Sequence, residues 1–140
     1  MIYMRPESKI LAKHVMNRFV VTVRPDDTAW TALEMMFSNN VGALVVVEGN
    51  SPIGIVTERD ILRCLLTCRG PEELLSILVK EVMSKGLITC TPETPLSEVL
   101  SIMVEKNIRR VPVIKNGMLE GIITEKDCIR ALLDLREVSA

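Results

Sequence analysis

The stretch Gly54–Asp60, GIVTERD, returns sixty-seven residues later as Gly121–Asp127, GIITEKD. A packed core can reuse apolar letters, but it gains nothing from repeating a threonine and an acid at one register. Sliding the chain by the same offset aligns residues 13–66 with 80–133 without a gap. The identities include Val15/Val82, Met16/Met83, Thr22/Thr89, Pro25/Pro92, Leu33/Leu100, Met36/Met103, Asn40/Asn107 and Arg63/Arg130. Self-similarity at a fixed period marks a structural unit written twice.

Working outward, each copy reads the same way. A short strand over 20–23 or 87–90 ends at Pro25 or Pro92. A helix follows, with Asp27 as the expected cap in the first copy. In the second copy Thr94 takes that place, with Pro95 at the first helical position. Its apolar residues fall at Ala29, Ala32, Leu33 and Met36, then at Leu96, Val99, Leu100 and Met103, the spacing of a half-buried helix. Strands are expected over 43–47 with 53–56, and over 111–114 with 119–123. The pair Asn116-Gly117 between the latter two is a strong short hairpin signal. A second helix over 58–66 or 125–133 closes each copy. The fold class is therefore α/β (α+β), with a strand-helix-strand-strand-helix unit repeated. The expected boundaries are 10–68 for the first domain and 80–135 for the second. A linker over 69–79 holds a short helix after Gly70-Pro71. One copy is too small to bury its sheet faces alone, and packing two face to face solves that.

The bulk chemistry narrows the function. The chain has 140 residues, 48% of them hydrophobic, 3% aromatic and 25% charged, which describes a globular protein with an aliphatic interior. A net charge of -1 offers no field for nucleic acid. The start, MIYMRPESKI, lacks the apolar core of a signal peptide, and the run VGALVVV is too short to span a membrane. A cytoplasmic location is the simplest expectation. A mean hydropathy of +0.28 suggests apolar surface covered by another copy or a partner. Cys64, Cys68, Cys90 and Cys128 lack CxxC spacing and read as buried, reduced thiols acting as small hydrophobes rather than as two disulfides or a metal site. His14 is the single histidine, so neither a His-rich metal site nor a Ser-His-Asp triad has material. No nucleophile–base pair is evident, so no enzymatic activity is expected.

The repeated polar letters admit two readings. Thr57 with Asp60, and Thr124 with Asp127, have the spacing of a capping box. The same helix start presents unpaired N–H groups and a positive dipole end, which suits a phosphate. There a threonine hydroxyl can donate to phosphate, and the acid one turn on can accept from ribose hydroxyls. Arg109 and Arg110 align with Gly42 and Ala43, so the fold does not require them. They are either exposed charge or a phosphate-binding pair. Trp30 and Phe37, aligned with Ser97 and Val104, are either partly buried or part of a self-association face.

The ordered set K-x-V-M, Thr-x-x-Pro, IRRVPVI-x-N-G-x-L-x-GIIT-x-x-D, occurring twice in phase over about residues 10–135, resembles a tandem pair of CBS domains, named after cystathionine β-synthase. That resemblance implies a regulatory module binding an adenosine ligand (AMP, ADP, ATP or S-adenosylmethionine) between copies related by a pseudo-two-fold axis. It also implies a homodimer and a separate regulated protein. Carried over by motif, Asp60 and Asp127 hold ribose hydroxyls, and Thr57 and Thr124 contact ribose or phosphate. Backbone at Val21, Thr22 and Val23, and at Ile88, Thr89 and Cys90, faces adenine, while Arg109 and Arg110 contact phosphate. The family pattern pairs the acid of one copy with cations of the other. Asp60 with the two arginines then makes one strong site per chain, and Asp127, facing Gly42 and Ala43, a weaker one. The alternative is a constitutive interaction scaffold whose threonines and acids only cap helices.

Overall fold

Elements form where the sequence changes period from 3.6 to 2, and each change is marked by a proline, an asparagine or a capping threonine. The computed structural model describes residues 10–139, with side chains through residue 135; the reading of residues 1–9 lies outside the described residues. In order the elements are α1 (Ala12–Val15), β1 (Thr22–Val23), α2 (Ala29–Asn39), β2 (Ala43–Glu48), β3 (Ser51–Thr57), α3 (Glu58–Leu65), a 3-10 turn (Pro71–Leu75), α4 (Val79–Val82), α5 (Leu96–Lys106), β4 (Arg110–Lys115), β5 (Met118–Thr124) and α6 (Glu125–Ser139). Among them no helix is long and apolar enough to cross a membrane.

The chain divides into two compact units, residues 20–87 and residues 10–19 with 88–139. The units are therefore not the sequence repeats themselves. The opening segment of the first repeat packs with the second. In residues 10–19 with 88–139, Ala12 N–H donates to Thr94 O and Lys13 N–H to Pro92 O. Asn17 and Ile122 exchange both backbone bonds, at 2.9 and 3.0 Å. In residues 20–87 the equivalent bonds run from Val79 to Asp27 and from Lys80 to Pro25, and Ser84 and Ile55 exchange theirs at 2.9 and 3.0 Å. Gly54 and Gly121 stand where these segments cross. A Cβ on Gly54 would lie 2.7 Å from Met83 Sδ and 2.8 Å from Ser84 O, and one on Gly121 2.8 Å from Met16 Sδ and 2.9 Å from Asn17 O. Close approach of backbone explains the repeated glycine.

In residues 20–87 the sheet has order β1-β2-β3, with β1 parallel and β3 antiparallel to β2. Val23, Ala29, Ala32, Met36, Leu44, Val46, Val56, Ile61, Leu74 and Val79 form its core. Leu74 belongs to the stretch read as a linker. The 3-10 turn that carries it packs on α2, beside the small residues Ala29 and Ala32. The other unit has Leu96 and Val99 at those positions and a core of Ala12, Cys90, Leu96, Val99, Met103, Val111, Val113, Ile123 and Cys128.

The second copy's first strand, expected over 87–90, shrinks to a single bridge between Cys90 and Val113. Cys90 N–H donates to Pro112 O at 3.0 Å and Ile114 N–H to Cys90 O at 2.8 Å. In the first copy the ladder extends because Val45 N–H reaches Val21 O at 3.4 Å. Its counterpart is Pro112, which has no N–H to give Ile88. The β4–β5 hairpin turns at Asn116 (φ 53) and Gly117 (φ 77), the double positive φ of a type I′ turn.

Two expected caps shift by one residue. Thr28 rather than Asp27 caps α2, its side chain accepting from Thr31 N–H at 3.0 Å. Asp27 instead accepts from Arg24 N–H at 2.8 Å. Pro95, not Thr94, is the N-cap of α5, while Thr94 Oγ1 accepts from Thr91 N–H at 3.0 Å. Both α2 and α5 end on an asparagine in the left-handed region, Asn40 and Asn107, which such a C-terminal position favours. Trp30, 36% exposed, and Phe37, 91% exposed, both stand among the exposed large apolar residues.

Candidate functional site

Each β-hairpin runs directly into a helix, and the junction is a capping box in both units. Thr57 N–H donates to Asp60 Oδ2 at 2.9 Å, and Asp60 N–H returns a bond to Thr57 Oγ1 at 3.2 Å. Thr124 and Asp127 repeat this at 2.9 and 3.2 Å. The structural reading of the repeated threonine and acid is thus correct, and each box contributes about 1 kcal/mol. It does not use up the side chains. Each carboxylate spends Oδ2 on the cap and leaves Oδ1 to the arginine three residues on, with the two aspartate side chains 14% and 18% exposed.

What remains differs between the junctions. Both aspartates pair with the arginine three residues on. Asp60 Oδ1 stands 3.8 Å from Arg63 Nη1, an ion pair without a hydrogen bond, whereas Asp127 Oδ1 also receives a hydrogen bond from Arg130 Nη1 at 3.4 Å. Thr124 Oγ1 donates its proton to Asp127 Oδ2 at 2.9 Å. Thr57 makes no such donation among the described residues, so its hydroxyl proton is available to an incoming oxygen. Asp60 and Thr57 together offer an acceptor and a donor at the open first turn of α3.

Arg109 and Arg110 sit beside Thr124 through the strand register. Arg110 pairs with Thr124 across β4–β5, and Glu125 N–H donates to Arg109 O at 2.8 Å. Arg109 is 77% exposed and lies 4.0 Å from Glu125, a surface pair of small energetic weight. Arg110 is half-buried at the start of β4. In the other unit the same geometry brings Gly42 and Ala43 to Thr57, with Glu58 N–H donating to Gly42 O at 3.0 Å. The arginines are extra chemistry on an unchanged scaffold.

Val21, Thr22 and Val23 lie in or just before β1, where Val21 O is occupied by Val45 N–H. Ile88 O cannot receive that bond from Pro112. Thr89 and Cys90 line a cavity of about 370 Å³ with Thr91, Thr94, Glu98 and Asn116. This cavity reaches toward the Asn116–Gly117 turn, the opposite end of the hairpin from Arg110 and Thr124. Burial, with Glu98 and Cys128 nearby, pushes the Cys90 thiol up to about 11, so it is a packing group. His14 Nδ1 accepts from Leu11 N–H at 3.0 Å and serves α1. Among the described residues no cluster of His, Cys, Asp and Glu suits a metal ion.

The letters separate the two threonine–aspartate pairs only through Arg109 and Arg110 against Gly42 and Ala43. The different use of the Thr57 and Thr124 hydroxyls has no signal in the letters, because both segments carry arginine three residues after the acid.

Comparison with known proteins agrees with this duplicated pattern. The family model of the CBS domain matches residues 12–67 and 79–134. The chain is 34% identical over 119 residues to the Methanopyrus kandleri protein MK0525, covering 83% of this chain and 59% of that one. It is 38% identical over 113 residues to the mitochondrial CBS domain-containing protein CBSX3 of Arabidopsis thaliana, covering 77% and 54%. It thus spans little more than half the length of these two curated relatives. The crystal structure of CBSX2 in complex with AMP matches with a TM-score of 0.80 at 25% identity, over 90% of this chain and 98% of that one. The chain belongs to the CBS-domain family and carries two such domains in tandem.

Proposed function

We propose that this chain is a regulatory module that binds an adenosine-containing ligand, of the AMP, ADP, ATP or S-adenosylmethionine class, and modulates a separate partner protein. The observation that carries the reading is the chemistry left at the start of α3: an Asp60 Oδ1 that accepts no hydrogen bond and meets Arg63 only as an ion pair at 3.8 Å, and a Thr57 hydroxyl with no acceptor among the described residues. A ribose diol needs such an acceptor, and a phosphate is favoured at a helix N-terminus. The AMP complex of the structurally similar CBSX2 supports the ligand class.

In this reading Asp60 and Asp127 bind ribose hydroxyls, Thr57 and Thr124 bind ribose or phosphate oxygens, and backbone at 21–23 and 88–90 faces adenine. Arg109 and Arg110 supply the phosphate cations. Only one copy has such a pair, so one strong site per chain is proposed. The module acts in the cytoplasm as a homodimer. Matched exposed apolar residues support the second copy: Phe37 with Val104, Leu62 with Ile129, and Leu66 with Leu133. Regulation requires that ligand favour one arrangement of the protein over another.

Calorimetry with AMP and adenosine tests the reading. Wild type is expected to bind one AMP tightly per chain. Replacing both Arg109 and Arg110 with alanine should weaken AMP by about tenfold or more and adenosine hardly at all. Equal losses for both ligands refute the phosphate role. A melting temperature unmoved by AMP, ATP and S-adenosylmethionine would favour the constitutive scaffold, since a ligand of the native state alone must raise it.

A further inference from the structure

Cys64 lies in the last turn of α3 and Cys68 just beyond it. The helix tightens as it ends. Leu66 N–H bonds to Arg63 O at 3.2 Å, Thr67 N–H to Cys64 O at 3.1 Å and Cys68 N–H to Leu65 O at 3.4 Å. These three-residue steps are a 3-10 winding, and they bring the Cys68 thiol over Cys64. The sulfurs are 3.9 Å apart, in van der Waals contact. A disulfide requires them to close by about 2 Å, a movement the exposed turn at 66–67 can supply. Both cysteines are partly exposed, whereas Cys90 and Cys128 are buried. The second repeat has Ala131 and Leu135 at the aligned positions, so the fold does not call for a thiol pair there.

We propose that Cys64 and Cys68 form a site of reversible oxidative modification, closing to an intramolecular disulfide on exchange with a small-molecule disulfide such as oxidised glutathione. One cysteine, as thiolate, attacks a glutathione sulfur and expels the first glutathione thiolate, leaving a mixed disulfide. The second cysteine, deprotonated, attacks the protein sulfur of that adduct and expels the second. Two cysteine thiols become one disulfide, two protons pass to solvent or the leaving thiolates, and oxidised glutathione is reduced to two thiols. Loss of water around Cys68, with Cys64 and Glu73 beside it, pushes its thiol up to about 11. It is therefore a slow attacker at neutral pH, and exchange is best followed in mildly alkaline buffer. The bond fastens the end of α3 to the chain leading into the 3-10 turn at Pro71.

The test incubates the native full chain with graded ratios of oxidised to reduced glutathione, quenches with acid, alkylates and maps peptides by mass spectrometry. The expected product is a Cys64–Cys68 peptide lighter by two hydrogens than the dithiol, with Cys90 and Cys128 alkylated only after unfolding. Cys68→Ser should stop at a glutathione adduct on Cys64, and Cys64→Ser at one on Cys68. Hydrogen exchange of the amides at 65–69 should slow several-fold in the oxidised chain. Adducts that persist on wild type without closing overturn the proposal. So do thiols left unmodified at the most oxidising ratio, a bond to Cys90 or Cys128, and exchange rates unchanged by oxidation.

Discussion

The two repeats fill their interiors position for position: Val23 with Cys90, Ala32 with Val99, Val46 with Val113, Ile61 with Cys128. Even the irregularity in each hairpin falls at the same place, after Val46 and after Val113. At the junction of hairpin and helix they part. The first keeps a threonine hydroxyl proton unused, and an Asp60 Oδ1 met by Arg63 only as a 3.8 Å ion pair, beside the uncharged Gly42 and Ala43. The second commits its threonine hydroxyl to Asp127 and carries Arg110 across the strand pair, Arg109 next to it and Arg130 on Asp127. A duplicated fold thus keeps its apolar positions while its polar rim diverges, because packing constrains volume and shape whereas an exposed rim tolerates exchange of charge.

The sharpest way to break that comparison is to remove the two acids in turn. If Asp60 holds the ribose as proposed, Asp60→Ala removes two charge-assisted bonds and should weaken AMP on the order of 100-fold, while Asp127→Ala should cost less than about threefold. Both variants lose one half of a capping box, so each should lose about 1 kcal/mol of stability. Calorimetry alongside urea unfolding separates the two effects, and equal losses of affinity would erase the asymmetry.

The glycines probe the part expected to be equal. Gly54→Ala and Gly121→Ala each drive a Cβ against a methionine sulfur and a backbone carbonyl within 2.9 Å. The sulfur can move and the carbonyl cannot, so each should cost about 2 kcal/mol. A large difference in urea unfolding between the two would mean that the crossing segments are not equivalent.

The smallest effect uses the cysteines that replace Val23 and Ile61. Burial pushes Cys90 and Cys128 up to about 11. An unfolded thiol ionises from about pH 8.5, so between those values unfolding releases a proton and stability falls as pH rises. Below that window the contribution is intact. Each thiol should cost on the order of 1 kcal/mol by the top of the window. Cys128→Ile, which restores the first repeat's residue, should flatten that decline relative to wild type in unfolding measured across the window.

The apolar stripes and turn residues made the duplicated fold legible. Ala29, Ala32 and Met36 are buried where their spacing put them, and Asn116-Gly117 turns as its letters require. What the letters hid depends on partners distant in sequence. Pro112 cuts short the strand at 87–90 only because it lies opposite in the ladder. Leu74 looks like linker until the 3-10 turn meets α2. At the candidate site, the capping boxes were readable from a three-residue spacing. Which hydroxyl and which carboxylate oxygen stay free is set by rotamers, and two identical spacings cannot distinguish them.

The paired bonds between Asn17 and Ile122 also govern how the molecule is made. A ribosome completes residues 20–87, whose partners Ile55 and Ser84 are close in sequence, well before Ile122 emerges. Until then the stretch carrying Ala12 and Met16 waits without its β5 partner, an exposed apolar segment of the kind that draws chaperones or misassembly. Its late docking closes a long loop, which makes that step the slowest expected on grounds of topology.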